Sequence, residues 1–125
     1  MKLKIPQYQL SEVLNMMAFK GISEADIKTM MDLRILREHY YRYNSTIFKA
    51  GEITEELGIV IKGRVIVENV DYWGSKSILS SALPGKVFGE TYALSGHKLM
   101  IDARATEPTI VFLSLIHISE PTRQE

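Results

Sequence analysis

The sequence has no cysteine, which excludes a disulfide framework, a thiolate zinc site and a cysteine-ligated iron–sulfur cluster. An excess of charge is also missing. Lys and Arg number 15 and Asp and Glu number 15, so there is no basic footprint for nucleic acid. Long apolar runs are absent too: none approaches the roughly 20 residues that span a bilayer, and no signal-peptide pattern opens the chain. Histidine is scarce and scattered, at His39, His97 and His117, whereas a metal enzyme needs imidazoles and a carboxylate gathered at ligand spacing. At 125 residues the chain fits one domain with a single core. The expected setting is cytoplasmic, without a membrane partner.

What is present is unevenly placed. Of the 8 glycines, only Gly21 lies outside the stretch from Gly51 to Gly96. Glycines recurring between β-branched runs mark turns between strands. The runs Ile59-Val60-Ile61, Val65-Ile66-Val67, Ser77-Ile78-Leu79, Met100-Ile101 and Ile110-Val111-Phe112 are the expected strands, and Ile35 to Tyr43 is expected to precede them. Gly63 is read as a tight turn joining two strands, and Pro84-Gly85 as a turn before the strand Lys86-Val87-Phe88.

The first 34 residues read as helical. Ser23 and Asp26 have capping-box spacing, with Ile22 and Ile27 placed as a hydrophobic staple. This helix is expected to reach about Leu33, and a shorter one to cover Leu10 to Met17. Met16, Met17, Met30 and Met31 read as helix core. The predicted organisation is a helical segment at 1–34, a β-roll at 35–112 and a foreign tail at 113–125. The tail rests on Leu113-Ser114-Leu115-Ile116-His117-Ile118-Ser119-Glu120-Pro121-Thr122-Arg123. This run resembles the translation of a transposase adapter used for sequencing libraries, which would end native sequence near Phe112. Its alternating Leu113 and Leu115 can still pair as a strand.

Several ordered segments carry a family resemblance. They are Ser45-Thr46-Ile47-Phe48-Lys49-Ala50-Gly51-Glu52, Gly58-Ile59-Val60-Ile61-Lys62-Gly63-Arg64-Val65, Tyr72-Trp73-Gly74, Pro84-Gly85-Lys86-Val87-Phe88-Gly89-Glu90 and Ala93-Leu94-Ser95-Gly96. In this order and spacing they resemble the effector domain of Crp/Fnr-type bacterial transcription regulators. The resemblance implies a mainly β fold, a double-stranded β-helix (jelly roll) behind two short α-helices, with a small-molecule pocket. It further implies that Phe88, Gly89, Glu90, Thr91 and Tyr92 line a phosphate cassette, where Glu90 accepts from a ribose hydroxyl. Family members that bind cyclic nucleotides follow with an arginine for the phosphate. Here that place holds Leu99-Met100, and Arg104 aligns with a different family arginine. The expectation is therefore a degenerate pocket, with Leu99, Met100 and Tyr92 favouring an apolar or aromatic effector over a cyclic nucleotide.

The resemblance also implies that the parent is a homodimer that reads DNA only through a C-terminal helix-turn-helix absent from this chain. A channel or kinase module fits less well, since Tyr-Trp-Gly and Ala-Leu-Ser-Gly look regulator-like. The alternative is a cupin-like jelly-roll metal enzyme, which Glu55-Glu56 (read as a solvated loop) and Ser80-Ser81 do little to support. Simpler roles stand beside the functional ones. Glu90 can cap neighbouring amides, Arg104 can serve strand pairing, and Tyr72-Trp73 can form an aromatic hairpin tip. Tyr40, Tyr41 and Tyr43 read as strand packing, and His97 as a solvated turn histidine rather than a haem ligand.

Overall fold

The computed structural model describes residues 6–115. Two helices, α1 (Leu10–Leu14) and α2 (Glu24–Asp32), precede β1 (Leu36–Tyr41), β2 (Thr46–Phe48), β3 (Glu56–Lys62), β4 (Val65–Val70), β5 (Lys76–Ala82) and β6 (Val87–Phe88). Helix α3 (Glu90–Ser95), β7 (Ile101–Ala105) and β8 (Thr109–Leu115) complete the described chain. The strands form two antiparallel four-stranded sheets, ordered β1-β8-β3-β6 and β2-β7-β4-β5. This is the expected mainly β jelly-roll class.

Side-chain alternation explains why β3 and β8 have no polar face. Val60, Val111 and Leu113 turn into a core between the sheets, with Phe48, Val65, Phe88 and Ala103. Their neighbours Ile59, Ile61, Ile110 and Phe112 turn outward, into a second core closed by Val13, Phe19 and Ile27 of the N-terminal segment. A strand buried on both faces reads as a continuous apolar run. Phe112 lies at the centre of the second core, fully buried, with the rings of Phe19 and Tyr8 edge-on at 6.0 and 5.9 Å. The Tyr8 hydroxyl donates to Glu38 on β1.

Helix α2 forms as its sequence dictates. The Asp26 amide donates to Ser23 Oγ at 3.1 Å and the Ser23 amide to Asp26 Oδ2 at 3.1 Å. Ile27 is buried and Ile22 packs beside it. Helix α1 is shorter than expected: it stops at Leu14, and a 3-10 turn, Met17–Phe19, follows. The change of helix type breaks the 3.6-residue period, so Phe19 turns inward and Met17 is 79% exposed rather than in the core. Met16, Met30 and Met31 do pack against the second core.

Other differences have local causes. Strand β1 ends at Tyr41 because Asn44 takes a left-handed φ of 67° in the turn. Tyr40 and Tyr41 pack as expected, whereas Tyr43 is exposed. Gly63 is indeed at positive φ (+94°), and a Cβ there would stand 2.6 Å from the Pro108 carbonyl. The strands it joins, β3 and β4, lie in different sheets, so the turn is a corner between sheets and not a hairpin. Glu56 is no solvated loop residue: it opens β3 and takes three bonds from the Arg37 guanidinium, at 2.8, 3.0 and 3.1 Å. Tyr72 and Trp73 do sit exposed at the β4–β5 tip, where Asp71 Oδ1 accepts from the amides of Trp73 and Ser75 at 2.9 and 2.8 Å.

Strand β8 runs past Phe112 without a break, and Leu113, Ser114 and Leu115 pair with β1 or β3. The remaining tail residues, His117 among them, lie outside the described residues.

Candidate functional site

The inter-sheet core opens to one side, where β6 passes into α3. Gly89 is the pivot. Its φ of +80° starts α3 in a left-handed conformation, and a Cβ would stand 2.6 Å from the Phe48 ring. A side chain is thus excluded both by backbone strain and by space. The rings of Phe48 and Phe88 meet at 5.5 Å beneath it. Ala93 anchors α3 in the buried layer, and Gly96, at φ +74°, ends the helix with its amide on the Tyr92 carbonyl at 2.9 Å.

Beside this turn lies a cavity of about 280 Å3. Val87, Phe88, Gly89, Glu90, Thr91 and Tyr92 form one wall, and Val67, Leu79, Ser80 and Ile101 the other. Glu90 and Thr91 are exposed at its rim, and Tyr92 is half-buried. Among the described residues that line it, none is Lys, Arg or His. The described residues also hold no group of three His, Cys, Asp or Glu that could grip a metal ion.

The structure brings together Phe88, Gly89, Glu90, Thr91 and Tyr92, and leaves Leu99 and Met100 out of the cavity lining. Leu99 is buried in the inter-sheet core. Its amide donates to the Glu52 carbonyl at 2.8 Å, and its own carbonyl accepts from Gly51 at 2.8 Å. Met100 is exposed, with its carbonyl accepting from Val70 at 3.0 Å. Arg104 donates from Nε to Glu68 Oε1 at 3.0 Å and from its terminal nitrogen to Asn44 Oδ1 at 3.3 Å. That is the strand-pairing role. His97 stands exposed in the turn after α3, with its amide on Ser95 Oγ at 3.3 Å.

Val67, Leu79, Ser80, Val87 and Ile101 were not foreseen in the cavity. Register was the available signal: the pairs Val70–Lys76, Asn69–Ser77 and Glu68–Ile78 centre the β4–β5 hairpin on Trp73, which alone would set Val67 opposite Leu79 rather than its actual partner Ser80. A shift between Val67 and Glu68 then displaces the pairing by one residue, which alternation alone does not foretell.

Behind the cavity, Asp102 on β7 is buried and doubly held. Its Oδ1 accepts from the Ala50 amide at 2.7 Å, and its Oδ2 pairs with Lys76 Nζ on β5 at 2.7 Å. Burial pushes the Asp102 carboxyl up, but the Ala50 N–H and the Lys76 ammonium outweigh that effect and hold it below its ordinary range. The same bond to Asp102 raises Lys76.

A roll of two such sheets, with a glycine-started helical turn at its open side, invites comparison with known domains. Residues 38–114 match the cyclic nucleotide-binding domain family. The chain belongs to the cyclic nucleotide-binding domain family. No curated protein sequence matches it. Among solved structures, this cyclic nucleotide-binding domain is similar to the Thermus thermophilus catabolite activator protein, with TM-score 0.65 and 24% identity over 78% of this chain and 45% of that one. It is also similar to the regulatory subunit of a cAMP-independent protein kinase A from Trypanosoma cruzi bound to guanosine, with TM-score 0.68 and 22% identity over 84% of this chain and 37% of that one. A third structure is a triple mutant of the corresponding Trypanosoma brucei subunit, bound to cAMP in its A site, with TM-score 0.71 and 21% identity over 85% of this chain and 38% of that one. The domain thus spans less than half the length of each of these neighbours. Among the described residues no helix is long and apolar enough to cross a membrane.

Proposed function

We propose that this domain is the effector sensor of a Crp/Fnr-type transcription regulator and that its cavity takes a small molecule other than a cyclic nucleotide. One observation carries the reading: the cavity is built on Gly89 and Glu90, as cyclic nucleotide cassettes are, yet its lining offers a phosphate no cation. Where such a cassette would present arginine this chain has Leu99, and Leu99 is committed to the core. A phosphate that enters without a matched cation loses hydration worth several kcal/mol. The residues present do not fit a cyclic phosphate.

Two neighbours support this reading. The Trypanosoma brucei subunit is described as cAMP-independent, and the form bound to cAMP carries three substitutions, one of which introduces an arginine. The Trypanosoma cruzi subunit, also described as cAMP-independent, is bound to guanosine, a nucleoside without a phosphate. In a full regulator, occupancy of the cavity would shift the balance between two global states through different affinity for each. DNA reading would belong to a helix-turn-helix elsewhere in a homodimeric parent, and the whole would work in the cytoplasm. The role is sensing, not catalysis. Ser81, for example, is engaged by Arg64 Nε at 2.8 Å.

A thermal-shift screen of the chain against cyclic AMP, cyclic GMP, nucleosides and small aromatic effectors tests the proposal. A ligand at a hundred times its Kd stabilises the folded state by about 2.7 kcal/mol. Stabilisation by a nucleoside or aromatic compound with none by cyclic AMP is expected. A large shift with cyclic AMP overturns the reading.

A further inference from the structure

We infer that the cavity sorts its ligands by charge, admitting uncharged or cationic molecules with an apolar body and rejecting anions. This inference rests on reading the cavity as the effector site. Val67, Leu79, Val87, Phe88 and Ile101 give its walls an apolar character, and Glu90 is the one acidic side chain among the described residues that line it. The cations on neighbouring strands are already engaged. Lys76 pairs with Asp102 at 2.7 Å, and Arg104 is held between Glu68 and Asn44.

An anion entering this space passes a carboxylate at the rim and, among the described lining residues, meets no counter-charge to repay its lost hydration. An ammonium or hydroxyl donor meets the reverse. It finds an acceptor in Glu90, and a charged donor makes the stronger bond. At about 280 Å3 the cavity falls just below the roughly 300–1,000 Å3 usual for small-molecule pockets. That size suits a single bicyclic ring with a short side chain. The ligand class assigned is therefore an aromatic amine or an uncharged nucleoside, with its donor group on Glu90.

Two matched pairs of probes isolate charge from shape: tryptamine against indole-3-acetate, and adenosine against cyclic AMP. Each is titrated into the isotope-labelled full chain while the backbone amides of Gly89, Glu90, Thr91 and Tyr92 are followed by NMR. The uncharged or cationic member of each pair is expected to bind about tenfold tighter or more, equivalent to about 1.4 kcal/mol. Glu90→Gln is expected to erase the preference for tryptamine over indole-3-acetate. Ser80→Arg, at an exposed lining position on β5, is expected to invert it, with spectral dispersion reporting that the variant folds. Anions that bind as tightly as their matches, or a preference that survives Glu90→Gln, overturn the charge rule alone. If no probe moves these amides in either the parent chain or Ser80→Arg, the effector-site reading falls along with it.

Discussion

The two sheets of this domain are finished to different standards. The sheet containing β3 and β8 is packed on both sides, by the opposite sheet within and by the N-terminal helices without. The sheet containing β5 has an open flank, and β5 is exposed at every position but Ala82. The closed side holds the domain together, while the open side leaves room for a ligand. Stability and recognition meet at Val67, Phe88 and Ile101, which belong to both core and cavity, whereas Leu79 and Ser80 on β5 line the cavity while exposed and can vary without unmaking the roll.

The sharpest way to break this division is to truncate one residue on each side. Phe112→Ala removes a fully buried ring between Phe19 and Tyr8 and is expected to cost about 3–5 kcal/mol. Leu79→Ala, at a cavity position 61% exposed, is expected to cost less than about 1 kcal/mol, since substitutions away from packed features do little. Urea denaturation of both variants reads the contrast, and comparable losses would erase it.

Gly89 sits where the two sides meet. Gly89→Ala forces a Cβ toward Phe48 at a positive φ, and strain of this kind costs about 1–3 kcal/mol. The expected result is a lower urea midpoint together with loss of ligand-induced thermal shift, because the cavity wall starts at this residue.

Acid should separate the sides again. The folded Asp102 carboxyl titrates below its ordinary value, so its contribution is fully present above the unfolded pKa near 3.8 and is lost as pH falls through the depressed folded value. Stability followed from pH 6 down to pH 2 (an order-of-magnitude window set by ordinary carboxylate titration) is expected to fall less steeply in Asp102→Asn than in the parent chain. A modest effect belongs to the helix cover. Ser23→Ala removes the acceptor of the Asp26 amide and is expected to cost about 1 kcal/mol, measured as a shift in thermal midpoint without change in ligand affinity.

Legibility in the sequence followed the same division. Ile59-Val60-Ile61 and Ile110-Val111-Phe112 were readable as strands because burial on two faces leaves no polar residue to blur them. The Ser23–Asp26 box was readable because capping is local. Strand β2 was not, being only Thr46–Phe48, too short for a period to show. Strand β7 was only grazed at Ile101, since Asp102, Ala103, Arg104 and Ala105 have little β preference and owe their conformation to pairing with β4. The near wall of the cavity could be anticipated because Phe88 to Tyr92 are contiguous. The far wall depends on a register shift in β4–β5. The places of Leu99 and Met100 are not legible either, because sequence position does not say that Leu99 is buried in the inter-sheet core while Met100 is exposed.

Strand β8 lies between β1 and β3 and carries Phe112, on which the N-terminal segment closes. Its partners are residues made long before it, Leu36 with Ser114 and Ile59 with Phe112 among them. Contacts so distant in sequence are slow to form, and here they follow the synthesis of every other described strand. A nascent chain still short of Thr109 therefore has its helices made but lacks Ile110 and Phe112, part of the core that seats them. On the ribosome this domain waits for β8 before it can shut.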